Sequence, residues 1–356
     1  MKFVMKFPLS LLLLLLIGCT KDGNVYDVID PDDQHSTDPL IIAIYDPNAL
    51  GDRTYNDLIF QGVEVGAKKN GMRTMQLSPQ SEQEGMSYIE TIFRELEVPQ
   101  DTIKRLIVVA GAIYDDYVRQ NSHRFANNPY VDVLFLETRT PLKDKGSTLY
   151  LHYYGAMYEA GAVAPHYSTD VLLIAANPTN TGVGEAVNGF VDGFNTNFIH
   201  TYPQKTLVKE YLGSKPNEGF LAADSTALKI LFDKKWTIRY PMFVPICGGA
   251  ANTFIRLAES VGNYWYMGVD CQQTSVICHF SAVKHIDRAV ALCIDQWTSG
   301  EGIPKHQTFG LAEGYTEVIE HPMGDYFEPY FSGTVDKETR AAIHEEALRK
   351  EAEYEK

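Results

Sequence analysis

The sequence lacks the features that mark several large classes of protein. Beyond the N-terminal segment, no apolar run is long enough to cross a bilayer. Positive charge is also in short supply, since 31 Lys and Arg stand against 46 Asp and Glu and the net charge is −15. This balance argues against nucleic-acid binding and against charge-driven docking on anionic lipid. The motifs Gly-x-Ser-x-Gly, His-Glu-x-x-His and the P-loop are absent, which disfavours an enzyme.

Cysteine is scarce, and its spacing indicates neither a metal site nor a redox pair. Four cysteines follow residue 19, and none has a Cys-x-x-Cys partner or a His at metal-ligand spacing. We therefore expect no metal and no cofactor. An exported protein could pair some of them, but their scattered positions favour buried free thiols. The four are Cys247, Cys271, Cys278 and Cys293.

The N-terminal segment has the order of a secretory signal, in which charge precedes an apolar run. Lys2 and Lys6 come first, and the apolar run follows at Leu9–Ile17. This run is too short to span a membrane. The segment therefore predicts export.

The end of the apolar run indicates lipidation. Residues 16–19 read Leu-Ile-Gly-Cys and resemble a bacterial lipobox, which predicts removal of residues 1–18 and attachment of lipid to Cys19. The alternative is an ordinary cysteine beside a signal anchor. Residues 19–38 hold six Asp and few large apolar residues, so we expect a tether. The protein is then anchored to a bacterial membrane and faces the periplasm or the exterior.

Short apolar runs alternate with amphipathic stretches from residue 39 onward. Such runs predict strands buried on both faces, as in parallel sheets, and the stretches between them predict helices. Units of this kind build doubly wound α/β folds. The predicted strands are 40–45, 105–109, 131–136, 149–154, 171–175, 205–210, 241–246 and 264–269. The predicted helices are 56–70, 117–126, 157–164, 184–198, 221–234 and 252–261.

The length of this region favours two lobes. About 318 residues follow the tether, enough for two α/β domains. We predict two doubly wound parallel-sheet lobes joined by a hinge that the chain crosses three times. The predicted lobes are 39–153 plus 279–304 and 154–278 plus 305–330, with a charged helix at 331–356 outside a lobe. The predicted crossings are 150–156, 272–282 and 304–310.

Polar residues are concentrated after the first predicted strand. In doubly wound folds, ligands bind beyond the carboxyl ends of the strands. Segment 46–57 begins with Asp46 and contains Tyr55 and Asn56 at the start of a predicted helix. Capping of this helix by Asn56 or Thr54 explains the cluster equally well. This segment alone leaves ligand binding and capping open.

Six short motifs over residues 40–322 occur in an order typical of one family. They are 51–57 (GDRTYND), 153–161 (YYGAMYEAG), 189–194 (GFVDGF), 248–249 (GG), 268–270 (GVD) and 284–287 (KHID). Together they resemble the basic membrane protein (BMP) family of periplasmic lipoproteins, which bind purine nucleosides for ABC importers. The resemblance implies a type I periplasmic binding protein-like fold. It also implies a monomer that passes a small solute to an ABC permease.

The resemblance implies that aromatic side chains hold a purine base between the lobes. Tyr55 would contact one face of the base, and Tyr158 or Phe190 the other. In the family an acidic residue after the strand that corresponds to predicted strand 131–136 helps to bind the base. Glu137 is the candidate here, and its side chain is one methylene longer than that of an aspartate, which leaves the base preference open. Three polar residues would bind the edge of the base: Asp46, Asn56 and Glu137.

The resemblance also implies a ribose site. Asp270 would accept hydrogen bonds from two ribose hydroxyls, and Lys284 would donate to a ribose oxygen. Without the resemblance, Asp270 is interpreted as a helix cap and Lys284 as a solvated side chain. The two interpretations differ in whether Asp270 and Lys284 contact a ligand.

The chain departs from the family at two polar positions. Residues 270–273 read Asp-Cys-Gln-Gln where Asp-x-Asp-Gln is common, and Gly155 stands where an acidic residue is common. The ligand could therefore be a free base, a modified nucleoside or another ring-bearing solute. Two alternative functions remain: a surface or sensory lipoprotein that retains the fold, and a nucleoside or sugar hydrolase.

Overall fold

The described residues form two α/β lobes. The computed structural model describes residues 37–198, 205–231, 242–262, 264–321 and 335–354. The predicted signal peptide, Cys19 and nearly all of the predicted tether lie outside these ranges. Within them, no helix is both long enough and apolar enough to cross a membrane.

The first lobe contains a sheet of six parallel strands. They are β1 (Leu40–Ile44), β2 (Arg73–Leu77), β3 (Arg105–Val109), β4 (Val131–Leu136), β5 (Ser147–Leu151) and β11 (His306–Phe309). Their order in the sheet is β11-β5-β4-β3-β1-β2. Helices α1 (Tyr55–Lys69) and α8 (Ile286–Ser299) cover one face, and α2 (Glu82–Leu96) and α3 (Asp115–Asn121) cover the other. Both faces of the sheet are therefore buried, as its apolar strands require.

The second lobe contains a sheet with the corresponding order. Its strands are β6 (Asp170–Ala175), β7 (Thr206–Tyr211), β8 (Met242–Ile246), β9 (Trp265–Asp270), β10 (Cys278–Lys284) and β12 (Thr316–Glu320). The order is β12-β10-β9-β8-β6-β7, and only β12 is antiparallel to its neighbour among these pairs. Its helices are α4 (Tyr154–Tyr167), α5 (Thr181–Phe194), α6 (Asp224–Leu231), α7 (Ala250–Val261) and α9 (Lys337–Tyr354). Strand by strand, each sheet is thus the counterpart of the other.

Three segments connect the lobes. Crossing 1 is residues 152–153 between β5 and α4, crossing 2 is residue 285 between β10 and α8, and crossing 3 is residues 310–315 between β11 and β12. Crossing 2 was predicted at 272–282, but these residues belong to the second lobe. Crossing 3 was predicted at 304–310, and it begins where that range ends.

Two strands were assigned to the wrong lobe. The predicted first lobe includes 279–304, but β10 pairs with β9 in the second sheet. The predicted second lobe includes 305–330, but β11 pairs with β5 in the first sheet. The physical reason is that an apolar run identifies a strand, whereas its sheet is decided by long-range pairing.

Helix α9 packs on the outside of the second lobe. It contacts α4, and its buried residues are Ile343, Ala347 and Glu351. The buried residues lie four apart, so they form one line along the helix. Most of the remaining side chains are exposed or half-buried.

Candidate ligand-binding site

A cavity of about 860 Å³ lies between the lobes. Loops that follow β1, β3 and β4 line it from the first lobe, and loops that follow β6, β7, β8 and β9 line it from the second. This is the edge of the sheet at which doubly wound folds bind ligands. Six of the eight predicted site residues line this cleft: Asp46, Tyr55, Asn56, Glu137, Asp270 and Lys284.

Asp52 caps α1 at the cleft wall. Its carboxylate accepts hydrogen bonds from the backbone N–H of Thr54 at 2.9 Å and of Asn56 at 3.0 Å. It also accepts one from Nδ2 of Asn56 at 2.9 Å. Thr54 occupies the N-cap position but makes no side-chain capping bond. The predicted caps, Thr54 and Asn56, are therefore donors to Asp52, and Asn56 is held in place on the cleft wall.

Asp46 presents a carboxylate oxygen that lacks a partner. Its Oδ2 accepts a hydrogen bond from the backbone N–H of Ala112 at 3.3 Å. Its Oδ1 is buried and has no hydrogen-bond partner in the described part of the chain. A Cβ at Gly111 would lie 2.6 Å from this Oδ1, so glycine leaves space for the carboxylate. Burial raises the pKa of Asp46 to about 6, although the amides of Ala112 and Ile113 lower it.

Four non-glycine residues of the described chain have positive φ, and all lie at strand ends or on loops beside the cleft. They are Asn48 (55°), Arg53 (56°), Glu137 (55°) and Asp270 (67°). This conformation costs on the order of 1–3 kcal/mol per residue and occurs preferentially at functional sites. Glu137 follows β4 and Asp270 ends β9, which occupy equivalent places in the two sheets. Each lobe thus holds one acidic residue in a strained backbone at the same position.

Asp270 is positioned by Tyr153. The backbone N–H of Asp270 donates to the Tyr153 hydroxyl at 3.0 Å, and that hydroxyl donates to the carbonyl oxygen of Ala282 at 2.6 Å. Burial raises the pKa of Asp270 to about 6, and Lys284 opposes this shift. Tyr153 also lines the cavity, although it was not predicted as a site residue.

An ion pair joins the lobes inside the cleft. Lys284, at the end of β10, donates from Nζ to Oε2 of Glu137 at 3.1 Å. The same ammonium lies 5.2 Å from the ring centroids of both Tyr55 and Tyr153, within cation–π range. The Tyr55 hydroxyl and Oε1 of Glu137 are buried, and neither makes a hydrogen bond of normal geometry within the described residues. Lys284 is therefore neither solvated nor directed at open solvent.

The predicted stacking roles of Tyr158 and Phe190 are wrong. Their exposed fractions are 3% and 0%, and neither lines the cavity. The ring centroid of Tyr158 lies 6.3 Å from that of Tyr154, and Phe190 lies 6.2 Å from Phe194. A Cβ at Gly193 would lie only 1.9 Å from the carbonyl oxygen of Tyr158. Because α4 and α5 pack this closely, both rings belong to the core of the second lobe.

Phe220 is the aromatic residue that the loops of the second lobe bring to the cleft. Its carbonyl oxygen accepts a hydrogen bond from the backbone N–H of Ala250 at 2.8 Å, and a Cβ at Gly248 would lie 3.1 Å from its ring. Gly219 has φ 84°, and a Cβ there would lie 2.0 Å from the carbonyl oxygen of Ala176. Glycine therefore lets this loop fold over the end of β6. The Gly-Phe pair in a polar loop was the available sequence signal.

The lobes also touch at the mouth of the cleft. Hydrogen bonds join polar groups of α7 and of the loops after β7 and β9 to the first lobe. They hold the two lobes together beside the cavity. The three hydrogen bonds are Asn252 Nδ2 to the Asp52 carbonyl (2.6 Å), Cys271 Sγ to the Arg53 carbonyl (3.3 Å) and Asn217 Nδ2 to Glu82 Oε2 (3.4 Å).

Glu185 of α5 binds the first lobe behind the cavity. It is 1% exposed, and it accepts hydrogen bonds from Arg139, from the Tyr150 hydroxyl and from the backbone N–H of Tyr153 at 2.9 Å. Burial raises its pKa, but hydrogen bonds from His152 and Tyr150 and the charge of Arg139 outweigh this and lower the pKa to about 2. The residue is therefore a charged link between the lobes.

The cysteines after residue 19 are free thiols. Cys247, Cys278 and Cys293 are buried, and Cys271 is partly exposed at the cleft mouth. Across the residues that the structure describes, no group of three or more His, Cys, Asp and Glu side chains is arranged to hold a metal ion.

Comparison with known proteins identifies the fold. No protein-family model and no curated protein sequence matches the chain. Among solved structures, a solute-binding protein of an ABC transporter system from Aeropyrum pernix K1 is similar, with a TM-score of 0.64 and 17% identity over 89% of this chain and 90% of that one. A transcriptional activator of the comK gene from Bacillus halodurans has a TM-score of 0.61 and 18% identity, over 87% and 96%.

A sugar complex is also similar. A carbohydrate transporter solute-binding protein from Agrobacterium radiobacter, in complex with D-arabinose, has a TM-score of 0.52 and 14% identity over 82% of this chain and 97% of that one. At such identities the likeness shows the fold, and a fold hosts several functions. The predicted type I periplasmic binding protein-like fold is thereby confirmed.

Proposed function

We propose that this protein is a lipid-anchored solute-binding protein that captures a purine nucleoside, or a similar small ring-bearing solute, for an ABC importer. The observation that carries the proposal is a buried carboxylate oxygen, Asp46 Oδ1, which lies at the cleft between the lobes and has no hydrogen-bond partner among the described residues. Buried polar groups are normally hydrogen-bonded, so this atom indicates that a ligand supplies the missing partner. The Tyr55 hydroxyl and the Glu137 carboxylate interact with each other in the same cleft.

The charges around the cavity favour a solute that is not an anion. Six acidic residues line it against three basic ones. All three basic residues are already paired: Arg119 with Asp115, Arg139 with Glu185 and Lys284 with Glu137. An uncharged solute rich in O–H and N–H donors suits such a surface, because carboxylates accept hydrogen bonds from donors. A nucleoside has these donors on both its sugar and its base.

The contacts proposed for a nucleoside follow from the cleft geometry and from the BMP resemblance. Tyr55 from the first lobe and Phe220 from the second would contact the base, in place of the predicted Tyr158 and Phe190. Asp270 and Lys284 would bind the ribose. Each aromatic contact would contribute about 1–3 kcal/mol by analogy with stacked bases. The edge of the base would meet Asp46, Asn56 and Glu137.

In this proposal the protein binds and releases its solute without chemical change. The similar solved structures include a solute-binding protein of an ABC transporter system and a carbohydrate transporter solute-binding protein in complex with D-arabinose. They support a transport role, and they make a free pentose or hexose the principal rival ligand. We propose an ABC permease as the partner, a monomer as the binding unit and Cys19 as the site of lipidation.

Calorimetric titration tests the proposal. The chain from Lys21 onward retains both lobes, and unfolding and refolding removes any bound solute. It is titrated with guanosine, inosine, adenosine, uridine, D-ribose, D-arabinose and D-glucose. We expect a purine nucleoside to bind best, because only that ligand offers a large ring to Tyr55 and a diol to Asp270.

Matched variants test the contacts. Tyr55→Ala should weaken nucleoside binding about 5-fold to 150-fold, the equivalent of about 1–3 kcal/mol, and Asp270→Asn should weaken it as well. Tyr211→Ala and Asp295→Asn, which alter residues outside the cavity, should leave the dissociation constant unchanged. Binding of a sugar alone would replace the nucleoside assignment, and the absence of heat with every solute would refute the proposed ligand class.

A further inference from the structure

Helix α4 begins at crossing 1 without a cap of its own. Its N-cap residue, Tyr153, makes no side-chain capping bond. The first backbone N–H groups of a helix have no partner within the helix, so they need acceptors from elsewhere. At a buried helix start the acceptors determine how the helix is held. Here the helix start is also the point at which the chain enters the second lobe.

Two carboxylates from distant parts of the chain supply these acceptors. Glu185 Oε1 accepts from the N–H of Tyr153 at 2.9 Å and of Tyr154 at 3.1 Å. Glu351 Oε2, from α9, accepts from the N–H of Gly155 at 2.7 Å. Negative charge at a helix N-terminus is also favoured by the helix dipole. Thus three successive amides at the start of α4 are bound by side chains of α5 and α9.

Glu351 binds a second crossing at the same time. Its Oε1 accepts a hydrogen bond from the N–H of Leu311 at 2.8 Å, and Leu311 belongs to crossing 3. One buried carboxylate therefore connects crossing 3 with the first turn of α4, which follows crossing 1 directly. Gly155 and Leu311 are 156 residues apart in the chain but meet through this side chain.

The backbone leaves a space shaped for this carboxylate. A Cβ at Gly155 would lie 2.6 Å from Oε2 of Glu351, and a Cβ at Gly310 would lie 2.4 Å from its Oε1. A side chain at either position would displace the carboxylate. Gly155 was noted as a departure from an acidic residue in the family resemblance, and the structure places an acid from α9 against it.

Helix α9 is fastened to the second lobe along its length and reaches the first lobe at its end. Arg340 forms ion pairs with Glu159 at 3.1 Å and with Glu320 at 3.3 Å. At the other end, the ring of Tyr354 stacks on Tyr154 at 4.3 Å. The guanidinium of Arg139, from the first lobe, lies 5.5 Å from the Tyr354 ring. The helix can therefore restrain the hinge from outside the cleft.

We propose that Glu351 is a positioning residue of the hinge and that α9 is a strap that limits the angle between the lobes. By binding the amides of Gly155 and Leu311 together, Glu351 holds crossing 3 against the start of α4, where crossing 1 ends. Opening of the cleft then requires these two hydrogen bonds to break, or crossing 3 and the start of α4 to move as a unit. Opening and closing are how two-lobed proteins admit and release a solute.

Stability alone does not explain a carboxylate at this buried position. Burial raises the pKa of Glu351 to about 7, although the amides of Leu311 and Gly155 lower it. A buried ionisable group contributes less to stability than an apolar side chain of similar volume. The role of Glu351 is therefore inferred from its two hydrogen bonds, which connect the start of α4 with crossing 3.

The test compares Glu351→Ala and Glu351→Gln with the unchanged chain from Lys21, without any solute. Glutamine has one acceptor oxygen, so it can receive only one of the two N–H groups. Glu345→Ala is the matched control, since Glu345 is an exposed glutamate on the same helix. Ile343→Val weakens the packing of α9 without touching the hinge, because Ile343 is fully buried on that helix.

Two readouts separate a hinge role from general stability. Small-angle X-ray scattering reports the distribution of lobe angles, and hydrogen exchange reports the amides of Gly155 and Leu311. We expect Glu351→Ala to broaden the distribution and to raise exchange at both amides about 10-fold to 100-fold, the effect of losing a charge-assisted bond. Glu351→Gln should be intermediate, and Glu345→Ala should match the unchanged chain.

Two results would overturn the proposal. One is a scattering profile for Glu351→Ala that matches the unchanged chain. The other is an equal broadening in Ile343→Val at the same loss of thermal stability, which would assign the effect to docking of α9 in general. Neither measurement depends on the solute, so failure here is distinguishable from failure of the proposed binding function.

Discussion

At the scale of single residues, the cleft contains two carboxylates whose pKa values lie close to neutral pH. Asp46 lies in the first lobe and Asp270 in the second, and burial raises the pKa of each to about 6. A solute that donates hydrogen bonds binds the ionised form of a carboxylate more strongly. If the cleft binds a solute as proposed, binding should release protons from both lobes.

Affinity should fall in acid. For each of the two carboxylates that must be ionised, we expect inosine binding to weaken about tenfold per pH unit below a pH of about 6, and to be nearly constant above pH 7. The measurement is calorimetric titration between pH 5 and pH 8. Asp270→Asn should reduce the slope of log Kd against pH by about one, because one titrating carboxylate is removed. Asp295→Asn, on the surface, should leave that slope unchanged. A flat profile in the unchanged chain would show that neither carboxylate meets a donor of the solute.

At the scale of elements, the helix pair α4 and α5 determines what the cleft can contain. Glycines at their interface let the two backbones approach, and the aromatic rings of both helices then fill the core. Small residues in a helix are compatible with close packing in the core as well as with ligand contact. For this reason the motif containing Phe190 predicted a helix in the right place but the wrong role for its ring.

Replacement of the interface glycine tests this packing. Gly193→Ala would place a Cβ 1.9 Å from a backbone carbonyl of α4, so the helices must separate, at a cost of about 1–3 kcal/mol in the free energy of unfolding. The matched control is Gly184→Ala on the same helix, where no heavy atom lies within 4 Å of the added Cβ. That change should be neutral or stabilise by about 0.5–1 kcal/mol. Thermal and urea unfolding measure both variants, and equal midpoints would contradict the packing argument.

The strength of the local pattern explains part of what was predicted from the sequence, although β10, which is buried throughout, was not predicted as a strand. Strand β3 was predicted with its observed bounds, since five consecutive residues suffice to identify a buried strand. β2 and α2 were not predicted. β2 is half-buried at the edge of its sheet, and α2 buries only Gly85, Ile89 and Phe93. Their apolar signal is weak because neither element is enclosed on all sides.

At the scale of the whole molecule, two acidic residues behind the cavity bind the segments that connect the lobes. Glu185 joins α5 to the first lobe and to Tyr153 of crossing 1, and Glu351 joins the start of α4 to crossing 3. Glu185 binds both backbone amides and the charged side chain of Arg139, and Glu351 binds backbone amides. The hinge is therefore held by carboxylates from helices that are distant from it in the chain.

Glu185 should make the protein sensitive to acid. Its pKa is about 2 in the folded chain and about 4.5 when unfolded, so its stabilising contribution is present above pH 4.5 and is lost as pH falls toward 2. The shift corresponds to about 3 kcal/mol. Glu185→Gln should lower the unfolding free energy at pH 7, because it leaves Arg139 without its buried partner.

The comparison of pH profiles checks this assignment. Unfolding by urea between pH 2.5 and pH 7 should show a smaller loss of stability in Glu185→Gln than in the unchanged chain. Glu95→Gln, an exposed change on α2, should follow the unchanged chain at every pH. Parallel profiles for all three proteins would place the acid-sensitive group elsewhere.

The alternation of strands and helices, the two-lobed α/β class and the strand ends at which polar residues collect can all be predicted from the amino-acid sequence. These depend on the periodicity of neighbouring residues, which a single sequence displays. Asp46, Tyr55 and Glu137 reach the cleft because each follows a strand or begins a helix at the same edge of the sheet.

Long-range contacts decide which lobe receives β10 and β11, which aromatic rings face the cleft, and what holds the hinge. Strand pairing, the approach of α5 to α4 and the position of Glu351 between α4 and crossing 3 join residues far apart in the chain. No local pattern encodes such contacts, because their free energy depends on packing and hydrogen bonding that exist only once both lobes have formed.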